Sequence, residues 1–186
     1  MKNLFNKNCI ILFSLAFTAT LSSANSLYAQ QAAHVRHSAH YDATSGASAQ
    51  IGTEFKNPKV EALYKSYHAL YEALVTDNLQ SAQKAALSLS ATAKVVPNAV
   101  NIATLAKKVA VAKTIDAQRK GFSSISNELI SIFKKGVLKQ GVLYTAFCPM
   151  ANDGKGAYWL TSEKKIANPY LGSQMPTCGS IKETLK

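Results

Sequence analysis

Between Asn57 and Lys135 apolar residues recur at helical spacing in four successive runs, and this repetition constrains the fold more than any other feature of the chain. Asn57 is a suitable N-cap, Pro58 suits the first helical position and Glu61 falls in the first turn. Val60, Leu63, Tyr64, Tyr67, Leu70, Tyr71, Leu74 and Val75 then follow the i, i+3, i+4 rule. Asp77-Asn78 ends this run and starts a second, alanine-rich one from about Leu79 to Val96, with Ala82, Ala86, Leu89 and Ala93 on one side. Pro97 ends that, and a third run from about Ala99 to Lys113 carries Ile102, Leu105, Ala106, Val109 and Ala112. The fourth begins near Thr114 to Asp116 and continues to Lys135, striped by Ile115, Phe122, Ile125, Leu129, Ile132 and Phe133, with Gly136 as its stop. Four amphipathic segments with short connections predict a mainly α fold, an antiparallel four-helix bundle.

After Gly141 the character changes. Val142 to Phe147 is β-branched and aromatic, Asn152-Asp153-Gly154 signals a turn, and Ala157 to Thr161 reads as a returning strand. Asn168-Pro169-Tyr170 and Leu171-Gly172 mark a loop, and one helical turn is expected from Ser180. Such a hairpin is too small for a core of its own, so it should pack on the bundle through Tyr158, Trp159 and Tyr170. Trp159 reads most simply as an anchor; a ring stacked over a bound cation is the alternative. Arg119, beside Gln118 on the fourth helix, is expected to pair with a first-helix carboxylate or with backbone carbonyls of the tail.

Residues 1–29 read as a signal peptide. Lys2 and Lys7 precede an apolar run from Cys9 to Leu21 that is too short to span a bilayer, and cleavage is expected after Ala29. The expectation is a soluble protein exported to the periplasm, with no membrane anchor. Residues 30–55, rich in Ala, Ser, Gly and Gln, lack any period and read as a disordered arm. Within it His34, His37 and His40 recur at intervals of three, a pattern open to both a chance polar tail and a metal-binding tract. The domain itself is expected over 56–186. The formal net charge is +11, but the lysines are scattered singly or in pairs on polar helix faces. A solvated basic surface, not nucleic-acid binding, is the expectation.

Outside the leader, all cysteine and methionine is confined to the tail: Cys148 and Met150 at one end, Met175 and Cys178 at the other. Thiolate with thioether is the donor set that selects soft ions such as Cu(I). In an extended segment Cys148 and Met150 point the same way, and Met175 and Cys178, with Pro176 between, can be folded by a single turn. Two cysteines in an exported domain also suit a structural disulfide, so both readings stand. His68, at the edge of the first helical stripe, is a second-tier ligand candidate or a hydrogen-bonded core neighbour. No Gly-rich phosphate loop, nucleotide fingerprint or catalytic serine signature is found, and the sparse acidic residues offer no base–nucleophile pair. A non-enzyme is expected.

The segments Tyr144 to Met150 (YTAFCPM), Gly156 to Leu160 (GAYWL), Asn168 to Gly172 (NPYLG) and Met175 to Gly179 (MPTCG) together resemble one family. It is a bacterial envelope domain of unknown function, found alone or appended to CusB-like periplasmic adaptors of heavy-metal efflux pumps. Tyr64, Tyr67, Ala73-Leu74-Val75 and Asp77, with Gln118-Arg119, Phe122 and Ser126, extend the resemblance to the helices. Pro176 after Met175 departs from the family's pattern and bears on how Met175 is presented. The resemblance implies copper or silver handling outside the cytoplasm, with an RND-type efflux adaptor or pump subunit as partner. The expected function is therefore a Cu(I) or Ag(I) binding protein or module linked to efflux or resistance. The alternative is a disulfide-stabilised interaction module that docks on such an adaptor or another envelope protein.

Overall fold

The computed structural model describes residues 52–186, and the expected leader and cleavage site and His34, His37 and His40 lie outside them. Helix α1 spans Pro58–Val75 and is capped by the Asn57 side chain, which accepts from the Lys59 amide at 2.8 Å. Helix α2 spans Leu79–Ala93, with Asn78 accepting from the Ser81 amide at 2.9 Å. Helix α3 spans Val100–Val111, and α4 spans Ile115–Phe133 behind the Thr114 cap. Short polar side chains that satisfy orphan N–H groups thus start three of the four helices where the sequence predicts. The second stops at Ala93 instead of Val96, because Lys94 to Pro97 are taken up in the turn toward Val100.

Consecutive helices pack on one another along the chain. Ala82, Ala86 and Ala93 face inward from α2 and let its neighbours approach closely. Between α1 and α4, Tyr67 stacks on Phe122 with ring centroids 5.1 Å apart, and its hydroxyl meets that of Ser126 at 2.9 Å. Tyr64, Tyr67, Phe122, Phe133 and Trp159 are the largest fully buried side chains and define the core.

Strand β1 (Glu54–Phe55) pairs antiparallel with β2 (Leu138–Gln140). A second antiparallel sheet has the order β4-β3-β5, built from β3 (Leu143–Cys148), β4 (Ala157–Thr161) and β5 (Ser180–Leu185). The β3–β4 turn carries Asn152, Asp153 and Gly154 at φ of +52, +58 and +82°, the backbone region that Asn, Asp and Gly tolerate best.

Three expectations are corrected. The stretch from Ser180 is strand, not a helical turn: β3 has a second edge whose N–H and C=O groups need partners, and Ile181 and Leu185 pair along it. Glu54 and Phe55 do not belong to a featureless arm, since Phe55 packs its ring 5.4 Å from Tyr64 and 5.9 Å from Phe133. Tyr158 is not a buried anchor, although it borders a cavity with Ile130 of α4. It stays 41 % exposed against Phe147, while its neighbour Trp159, on the other face of β4, is fully buried.

Candidate sulfur site

The site is made where the end of β3 meets the loop that enters β5. Cys148 is the last residue of β3, opposite Ala157, and is fully buried. Cys178 reaches it from a turn in which its amide donates to the Met175 carbonyl at 3.2 Å. Gly179 permits this approach. Its φ is +130°, and a Cβ there would lie 2.8 Å from Trp159 Cη2 and 2.9 Å from the Phe147 carbonyl oxygen. The outcome is a contact between Cys148 Sγ and Cys178 Sγ at 2.7 Å.

The loop is held by Asn168, a buried residue that sequence reasoning treats only as loop punctuation. Its Oδ1 accepts from the amides of Tyr170 at 2.7 Å and Leu171 at 3.0 Å, and its Nδ2 donates to the Cys178 carbonyl at 2.7 Å. The Asn168 amide donates to the Pro176 carbonyl at 2.9 Å. One side chain therefore fixes the strand of loop that carries Met175 and Cys178. Tyr170 adds a second tie: its hydroxyl donates to the Tyr158 carbonyl, and its ring meets Trp159 edge-on at 6.0 Å. Trp159 is fully buried, in keeping with the anchor reading.

Arg119 secures the far side of the same loop. Its Nε donates to the Pro169 carbonyl at 2.9 Å and its Nη2 to the Leu74 carbonyl at 3.0 Å, and it forms an ion pair with Asp77. Asp77 also accepts from the Ser173 amide at 2.9 Å. Hydrogen bonds from Ser173, then those from Arg119 and its charge, hold the Asp77 carboxyl down at about 2. The pairing expected of Arg119 is thus present, with the carboxylate supplied just beyond α1.

Contact with the Cys148 thiol, and then burial, push the Cys178 thiol upward; a hydrogen bond from the Met150 backbone opposes this. A thiol held protonated is a poor free nucleophile. Two sulfurs in contact are well placed to join as a disulfide. To share one ion at a metal–sulfur distance near 2.3 Å and a tetrahedral angle they would have to part to about 3.8 Å. Met150 and Met175 are 52 % and 40 % exposed, so their thioethers are open to solvent at the two ends of the cysteine pair's own backbone segments. Met150 also borders an open cavity of about 320 Å³ with Arg119, Lys120, Asn152 and Gln174.

His68 lies apart from this constellation. Its Nε2 stands 3.6 Å from Glu72, its ring is flanked by Tyr64 and Tyr71, and it lines a cavity that none of the four sulfur residues touches. Among the described residues no group of three or more His, Cys, Asp or Glu is placed to hold a metal ion.

Residues 63–141 match a protein family described only as a protein of unknown function, DUF3347. The matched span runs from within α1 to Gly141, two residues before β3, so it takes in most of α1 and all of α2, α3 and α4 and stops short of every sulfur residue of the site. No curated protein and no solved structure matches the chain.

Proposed function

We propose that the chain is a non-catalytic, exported protein that binds one Cu(I) or Ag(I) through Cys148 and Cys178 in their reduced state, in the service of heavy-metal efflux or resistance. Met150 and Met175 supply thioethers from the solvent side, and the four helices, read as an antiparallel bundle, are the platform for the site. The observation that carries this reading is the meeting of the two cysteines, 30 positions apart, with a methionine beside each. Thiol and thioether together suit a soft monovalent ion, and each bound ion displaces thiol protons. Residues 56–186 then act alone or beside an RND-type adaptor in the periplasm.

The 2.7 Å contact and the upward push on the Cys178 thiol favour a second reading, in which the pair closes as a disulfide and the domain is an interaction module docking on an envelope partner. Closing a loop of this length stabilises a fold by about 3–4 kcal/mol in the chain-entropy account. A Cu(I) competition titration on reduced protein separates the two. The metal reading expects one equivalent bound, with most affinity lost in Cys148→Ser or Cys178→Ser and a smaller loss in Met150→Leu. Failure of the reduced wild type to compete, with a reduction-sensitive melting temperature, establishes the disulfide-locked module instead.

A further inference from the structure

The α2–α3 hairpin differs in surface chemistry from the rest of the domain. From Asn78 to Thr114 the sequence contains five lysines and no Asp, Glu or Arg. Among the described residues none of these lysines forms an ion pair, and four of the twelve lysines outside the hairpin, 65, 120, 134 and 139, do. The same hairpin exposes Leu87, Val95, Val100 and Val111, each between 57 % and 68 % accessible. They are all of the exposed large aliphatic side chains among the described residues, the others being Met150, Tyr158 and Met175.

Their spacing makes them a face. On α2, Lys84, Leu87, Ala91 and Lys94 recur at i, i+3, i+7 and i+10, opposite the buried Ala82, Ala86, Leu89 and Ala93. On α3, Val100, Thr104, Lys107, Lys108 and Val111 do the same opposite Ile102, Ala106 and Val109. Ser90 Oγ donates to the Ala103 carbonyl at 2.9 Å and Gln83 Nε2 to the Ala112 carbonyl at 3.0 Å, which pins the two helices side by side.

We propose that the outer face of the α2–α3 hairpin docks on a membrane surface containing anionic phospholipid. Lysines 84, 94, 107 and 108 meet headgroup phosphates, and the interleaved aliphatic side chains seat between the headgroups. Charge excludes the nearer occupants. A second copy would set lysine against lysine, and residues 1–51 carry Lys2, Lys7 and Arg36 against Asp42 alone. A convex helical face with dispersed Leu and Val fits a fluid lipid interface better.

Sedimentation of the full chain with phosphatidylcholine vesicles, with and without phosphatidylglycerol, tests this. Phosphatidylglycerol is expected to raise binding many-fold over phosphatidylcholine alone, and the increment should weaken as salt is raised. Each lysine near such a surface contributes about fivefold in partitioning, so Lys84→Gln/Lys94→Gln/Lys107→Gln/Lys108→Gln should lose well over tenfold. Leu87→Ser/Val100→Ser, with all lysines kept, should lose several-fold. The apolar run near Leu21 is common to every variant and cancels in the comparison. Thermal melts verify the fold; should the fourfold variant melt early, Lys107→Glu/Lys108→Glu replaces it. Equal partitioning of the lysine variants and the wild type overturns the proposal. So does capture of poly-glutamate with no binding to phosphatidylglycerol vesicles, which assigns the face to an acidic protein.

Discussion

Asp77 and Arg119 form an ion pair that ties the α1–α2 junction to α4. Both partners also hold the loop that delivers Cys178, Asp77 through the Ser173 amide and Arg119 through the Pro169 carbonyl. The pair is therefore a clamp on the loop as well as a link between helices.

Replacing Arg119 removes two hydrogen bonds to backbone carbonyls in a nearly fully buried setting and leaves Asp77 without its cation. Arg119→Ala is expected to cost about 3 kcal/mol in urea unfolding. Arg119→Lys should recover little of it, because an ammonium cannot serve Leu74, Asp77 and Pro169 together. A loss below about 1 kcal/mol would show that the clamp contributes little.

Asp77 makes the clamp acid-sensitive. Its carboxyl is held at about 2 against an ordinary 3.8, so the stabilisation is complete above the ordinary value and disappears as pH falls through the lowered one. Melting temperatures of wild type and Asp77→Asn should differ most at about pH 5 and converge toward about pH 2. A gap that stays constant across that range contradicts the assignment.

The helices were legible because their signals are redundant: Asn57, Asn78 and Thr114 cap them, and each stripe repeats several times. Strand β4 was legible over its full range, Ala157–Thr161. The strands that escaped carry weaker signals. Residues 54–55 and 138–140 are too short to alternate, and the Ser180–Leu185 sequence contains Lys, Glu and Leu, which suit a helix equally well. Only the unfilled edge of β3 decides the last case. Cys148 and Cys178 stood out as the only cysteines outside residues 1–29, yet Asn168, which fixes their approach, was invisible, since an Asn that organises a loop looks like any Asn in a turn.

The free edge of β4 is closed by side chains. The Leu160 amide donates to the Tyr67 hydroxyl at 3.0 Å, and that oxygen also meets Ser126. Tyr67→Phe strands a buried backbone N–H and should cost about 1–3 kcal/mol. Ser126→Ala added to Tyr67→Phe should cost less than the sum of the single changes, read from a double-mutant cycle. Strict additivity would separate the two hydroxyls energetically.

Gly179 controls the closeness of the sulfurs. Gly179→Ala sets a methyl against Trp159 and the Phe147 carbonyl, so it should destabilise the fold by about 1–3 kcal/mol. It should also slow the loss of free thiols under air, measured by thiol titration, relative to wild type. An unchanged oxidation rate would show that the Cys178 turn reaches β3 without this glycine.

The two sulfurs are unequally accessible: Cys148 is sealed beneath the sheet and Cys178 is partly open. Thiol–disulfide exchange requires an incoming thiolate to approach one particular sulfur. In the disulfide reading, attack from outside would fall on Cys178, with Cys148 as the departing group, and the return step would be made by Cys148 from within. The pair has a direction. In the disulfide reading an incoming thiol such as glutathione would be held on Cys178, so Cys148→Ser would retain the mixed disulfide and Cys178→Ser would not, read by mass spectrometry after incubation with oxidised glutathione.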